Sequence, residues 1–133
     1  MIAYDTNILI YALEGTSSWS KLAQAVIERG EQEGAILSVL AWQELMTGAV
    51  INGEGNDEKL AAILNDLSFT KFAPVSLSIS KKAVALTKRY RRQVYGYDAI
   101  HIATAIEHKA KCFITNDKKL LNLSLKEIKI CNL

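Results

Sequence analysis

Short apolar runs alternate with stretches of helical spacing along the whole chain, and this alternation constrains the fold more than any other feature. "MIAY", "AILSV" and "CFIT" read as strands, "FAPVS" as an extended piece and "IKICNL" as a last strand. Between them lie helical patterns. The first runs from Asn7 to Leu13. The second starts near Ser17 or Ser18, carries Trp19, Leu22, Val26 and Ile27 on one face, and ends at Gly30 or Gly34. "LAWQELMTGAV" follows, with Ser38 near its N-terminal end, and then "NDEKLAAILNDLSF", which has acids in its first turn as the helix dipole favours. "ISKKAVALTKRYRR" is amphipathic, and "DAIHIATAIEHKA" is apolar on so many sides that it reads as a buried helix. Strands alternating with helices predict an α/β fold with a mainly parallel central sheet flanked by helices.

The chain is the right size for one domain spanning residues 1–133, with half its residues hydrophobic. Cys112 and Cys131 stand singly with no Cys-x-x-Cys pattern, which argues against structural zinc and fits a reducing compartment. The N-terminus lacks a basic segment, and no run approaches the ~18 apolar residues of a membrane span. A cytoplasmic protein without a membrane partner is expected.

Charge is unevenly spread. Residues 1–66 carry three basic and ten acidic side chains, residues 67–97 seven basic and none acidic. The basic block at 81–92 could face a polyanion or simply be a solvated helix face.

In a parallel sheet, ligands bind outside the carboxyl ends of the strands, so the acids there carry information. Asp5 directly follows "MIAY" and Asp117 follows "CFITN". Asp98 opens the buried helix, and Glu44 lies on a helical face with Leu40, Ala41, Thr47 and Gly48, none of them charged. Each has a plain alternative: Asp5, Thr6 or Asp98 as a helix cap, Asn116-Asp117 as a turn, Glu44 as a half-exposed helix residue. Converging carboxylates repel one another and call for a cation. Oxygen donors without His or Cys select a hard ion, Mg2+ or Mn2+. His101, on an apolar helix, reads as a satisfied core residue and His108 as a surface one.

The stretches "YDTNILIYAL", "SVLAWQEL", "YDAIHIATAIEHKA" and "FITNDKKL" together resemble the PIN-domain ribonucleases of the VapC toxin type, partners in toxin–antitoxin pairs. The motifs span almost the whole chain in the family's order. The resemblance implies an endoribonuclease using one or two Mg2+ or Mn2+ ions and leaving 5′-phosphate and 3′-hydroxyl ends. It implies Asp5, Glu44, Asp98 and Asp117 as the catalytic acids. Asp5, Asp98 and Asp117 would touch the metal, with Glu44 binding directly or through water. Thr6, Asn7, Ser38, Thr115 and Asn116 match supporting positions, and His101 matches no catalytic one. An RNA substrate, a cognate antitoxin and a homodimer are the implied partners. Arg89, Arg91, Arg92, Lys118 and Lys119 are candidates for RNA phosphates, although the same surface could face an acidic antitoxin. Trp19, Trp42 and Tyr95 could stack bases, but both tryptophans are expected in the core. A haloacid-dehalogenase-type phosphotransferase also begins with a strand and an Asp, but would want Asp where Asn7 stands. A PIN-like module that binds RNA or protein without cutting is the remaining alternative.

Overall fold

The computed structural model describes residues 1–133. Five strands, β1 (Ile2–Tyr4), β2 (Ala35–Ser38), β3 (Thr70–Ala73), β4 (Cys112–Thr115) and β5 (Lys129–Asn132), form one sheet in the order β3-β2-β1-β4-β5. Every neighbouring pair is parallel. The three central strands are buried along their whole length, whereas β3 and β5, at the edges, alternate or face outward. That is why "MIAY" and "CFIT" are nearly continuous apolar runs: a parallel strand covered on both faces needs apolar side chains on both.

The helices are α1 (Thr6–Glu14), α2 (Ser20–Glu33), α3 (Val39–Asn52), α4 (Asn56–Asp66), α5 (Leu77–Tyr90), α6 (Gly96–Glu107) and the short α7 (Lys118–Leu121), with one 3-10 turn at Arg91–Gln93. Strand alternation divides them into two layers. Ile2, Tyr4, Leu37 and Ile114 pack with Ile8, Ala23, Leu45 and Leu64 of α1 to α4. Ala3, Ile36 and Phe113 pack with Ile79, Leu86, Ile102 and Leu120 of α5 to α7. Each large side chain fully buried in this way contributes about 1.5–3 kcal/mol. Tyr4 brings a hydroxyl into the first layer, and Thr70 Oγ1 satisfies it at 3.2 Å.

The sequence-based reading misassigned the inner face of α2. Trp19 and Leu22 are 40% and 49% exposed, and the buried positions are Ser20, Ala23 and Gly30. Close packing is the reason: a Cβ on Gly30 would lie 3.3 Å from both the Ala35 Cβ and the Phe69 ring. The helix therefore turns its small residues toward the sheet, with Val26 and Ile27 half-buried against the core and Leu22 outward. Trp42 is also 40% exposed, because α3 buries the adjacent Ala41 and Leu45 instead. Both tryptophans thus lie outside the core. Helix α4 stops at Asp66, freeing Phe69 to accept a bond from the Ala35 amide and start β3.

This topology positions the site. From β1 the chain builds outward through β2 to β3, then returns to the other side of β1 with β4 and β5. The strand order reverses between β1 and β4, and a crevice opens at such a reversal, outside the carboxyl ends of the strands. Asp5 follows β1 and Asn116-Asp117 follows β4, so both borders of that crevice carry a carboxylate.

Candidate metal centre

Asp5 occupies the N-cap position of α1, yet its side chain makes no capping bond. Its Oδ2 instead accepts from the Thr115 hydroxyl across the β1–β4 seam at 3.1 Å. Thr115 Oγ1 also accepts from the Asp117 amide at 3.0 Å, so one buried hydroxyl fixes both borders of the crevice. Asn116 is held sideways, its Nδ2 donating to the Tyr11 hydroxyl at 3.1 Å. Asp117 does act as a cap: its Oδ1 accepts from the Lys119 amide at 2.8 Å and starts α7, a short helix that the sequence reading did not include.

Asp98 lies within the first turn of α6, two residues inside the helix rather than at its opening. Burial pushes its carboxyl above the ordinary aspartate range, the charge of Asp5 pushes the same way, and Asp117 adds to the rise. Lys119 and His101 pull in the opposite direction. The charges of Asp5 and Asp117, from two other parts of the chain, therefore both reach Asp98 at this edge. The Lys119 ammonium lies 3.7 Å from Asp98 Oδ2 and 5.1 Å from the centre of the Tyr95 ring. Lys119, a sequence candidate for RNA phosphates, is exposed and leans toward Asp98.

Glu44 reaches the group through a residue given no role in the sequence reading. His101, 7% exposed, sits one turn after Asp98 on α6 and meets Glu44 Oε1 through Nε2 at 2.9 Å. With Glu44 ionised, Nε2 is the donor. The Asp98-to-His101 spacing signals a shared helix face, but the Glu44 partner is 57 residues away and leaves no local trace.

The supporting residues divide. Ser38 is buried and caps α3, accepting from the Leu40 amide at 3.1 Å. Thr6 is buried, and its hydroxyl is the one buried side-chain polar atom without a hydrogen-bond partner. Asn7 is exposed. Among the basic candidates, Arg89 is bonded to Glu127 Oε1 at 3.0 Å, while Tyr90 donates to the other oxygen of that carboxylate at 2.9 Å. Arg91, Arg92 and Lys118 are exposed and form no ion pair.

The donor chemistry suits a hard divalent ion: oxygen atoms, burial and neighbouring carboxylates raising one carboxyl, and an unpartnered hydroxyl beside Asp5. As the side chains are oriented, no three His, Cys, Asp or Glu groups converge closely enough to hold one ion. No helix is long and apolar enough to cross a membrane.

A toxin–antitoxin complex from Klebsiella pneumoniae superposes with a TM-score of 0.69 at 26% identity, over 98% of this chain and 100% of that one. VapBC2 from Rickettsia felis, bound to a DNA fragment of its promoter, gives 0.75 at 17% identity over 100% and 99%. FitAcB from Neisseria gonorrhoeae gives 0.74 at 18% identity over 98% and 96%. The last two likenesses are of fold. No curated protein sequence matches the chain. The PIN-domain family model matches residues 2–125. With that match added to the parallel sheet and the acids at its carboxyl edge, the chain belongs to the PIN-domain family.

Proposed function

We propose that this protein, as one PIN domain over residues 1–133, is a divalent-metal-dependent endoribonuclease and the toxin of a type II toxin–antitoxin pair in the cytoplasm. The observation that carries the reading is that the charges of Asp5 and Asp117, on the two borders where the strand order reverses, both act on the half-buried Asp98, whose helix also holds Glu44 through His101.

In this reading Asp5, Asp98 and Asp117 hold Mg2+ or Mn2+, and Glu44 binds directly or through a water. A bound divalent ion lowers the pKa of water and polarises a phosphate oxygen, which is the chemistry that phosphodiester hydrolysis requires. The chain's own groups set the stage. Thr115 fixes the Asp5 carboxylate, the cap on α7 fixes Asp117, and His101 restrains Glu44. The antitoxin is the partner expected by analogy with the toxin–antitoxin complex from Klebsiella pneumoniae. A hollow of about 470 Å³ fits it, lined by Ile10, Leu13, Leu45, Leu60 and Ile63 with Glu44 at its edge. A bound segment there would lie against Glu44. A homodimer completes the proposal.

Purified protein should cut a structured RNA with Mg2+ or Mn2+ and stop when EDTA is added, and Asp5→Asn should not cut. Cutting by Asp5→Asn at the parent rate would show that the centre is misplaced. A folded parent that binds RNA but cuts nothing with either ion would be a binding module instead. Sequencing RNA 5′ ends after brief induction in cells would then identify the target.

A further inference from the structure

Two exposed tyrosines bracket Gly96 where α6 begins, Tyr95 just before the helix and Tyr97 in its first turn. Tyr95 and Tyr97 are each 55% exposed and lie just before Asp98 in the chain. Gly96 between them has a φ of +58°, the left-handed region where a side chain is disfavoured, and Asp98 follows directly. The turn aims the two rings into different hollows. Tyr95 lines one of about 400 Å³ with Thr87, Arg91 and Arg92. Tyr97 lines another of about 330 Å³ with Leu40, Gln43, Glu44 and Thr47. The chain also accepts strain here, since Arg91 is a non-glycine residue at a φ of 52°.

The hollows differ in chemistry. The first has two free guanidinium groups, no lining acid and an aromatic ring with the Lys119 ammonium 5.1 Å from its centre, a basic setting that suits a phosphate and its attached base. The second includes the Glu44 carboxylate and repels phosphate. It offers an aromatic face together with Gln43 and Thr47, four residues apart on α3, whose amide and hydroxyl both donate and accept. That combination suits the edge of a base.

We infer that the Tyr95–Tyr97 turn is a two-sided subsite for single-stranded RNA. A nucleotide is held by Arg91, Arg92 and Tyr95 on one side of the acids, and a base stacks on Tyr97 and is read by Gln43 and Thr47 on the other. This rests on the ribonuclease reading and adds where the strand lies and where base preference resides. An acidic protein segment on the arginines is the competing occupant.

The test is binding, so cleavage is not needed. A fluorescein-labelled, mixed-sequence single-stranded RNA of about 12 nucleotides is titrated by anisotropy with Ca2+ replacing Mg2+, and gels confirm that the probe stays intact. Thermal midpoints check that each variant folds. Tyr97→Ala should weaken binding about tenfold with an unchanged salt slope, and Tyr97→Phe should stay within about twofold. Arg91→Ala with Arg92→Ala should reduce the slope of log K against log salt by about 1.4. Gln43→Ala should alter the ranking of the four homopolymers and leave that slope alone. Folded variants that bind as the parent does would overturn the inference. So would equal weakening of single- and double-stranded probes, or an arginine pair that binds polyglutamate and contributes nothing to RNA. A folded parent that binds no RNA at all would overturn the ribonuclease reading itself, a result distinct from the others.

Discussion

Lys119 places a positive charge where the proposed function requires a metal ion, and the two should compete. At 3.7 Å, the Lys119–Asp98 pair has a Coulomb attraction between about 1 kcal/mol in bulk water and about 4 kcal/mol at an effective dielectric of 20. The two side chains are 42% and 33% exposed, so water and salt screen the pair strongly. Measured values for such pairs bring the net contribution down to about 0.5–1 kcal/mol. Lys119→Met keeps most of the aliphatic stem and removes the charge. In EDTA it should lower the thermal midpoint by about 2–5 °C, because the acids lose their internal cation. In excess Mg2+ the sign should turn: the ion then meets carboxylates with no ammonium beside them, so its affinity should rise about two- to fivefold. Paired melts in EDTA and Mg2+, with Mn2+ binding followed by the loss of its free EPR signal, read both halves. Equal destabilisation in both media, or weaker ion binding by the variant, would refute the idea that lysine and ion share one set of acids.

Other substitutions separate structure from chemistry. Asp117→Ala should lose the α7 cap and about 1 kcal/mol, whereas Asp117→Asn should keep the cap and lose metal affinity, as urea melts and ion titration would show. His101→Leu should lower kcat more than it raises KM for RNA and cost only about 1 kcal/mol, since Glu44 is 35% exposed and can rehydrate. His101→Gln should recover part of that loss, and equal losses in both variants would remove His101 from its positioning role. Burial pushes the Tyr4 phenol from 10.0 up to about 12. Its folded-state pKa is raised, so its contribution is complete below pH 10 and is lost as pH climbs toward 12. Alkaline melts of the parent should lose roughly 2–3 kcal/mol across that window that Tyr4→Phe does not.

Much of this arrangement is legible in the sequence because it is local. "MIAY" and "CFIT" are apolar throughout since both of their faces are covered, and each is followed within two residues by an acid of the candidate site. Asp5, Asp98 and Asp117 can therefore be located by strand ends and by the buried helix alone. What escapes is set by partners distant in the chain. The inner face of α2 is chosen by how closely Gly30 approaches Ala35 and Phe69, and not by where the largest apolar residues fall. The His101–Glu44 bond joins two helices that are separate in sequence. Lys119 reads as a surface base, which it is, but its pairing with Asp98 depends on the turn that the cap at Asp117 starts.

The Thr115 hydroxyl has a consequence for synthesis. It joins Asp5 to the segment carrying Asp117 across 110 residues of chain, through the pairing of β1 with β4. Contacts so distant form late, because the loop between them must first be closed. A nascent chain on the ribosome holds Asp5 long before it holds β4. Whatever chemistry the crevice performs is thus withheld until β4 has been made, and a prematurely terminated product ending before Cys112 would carry only one of its borders.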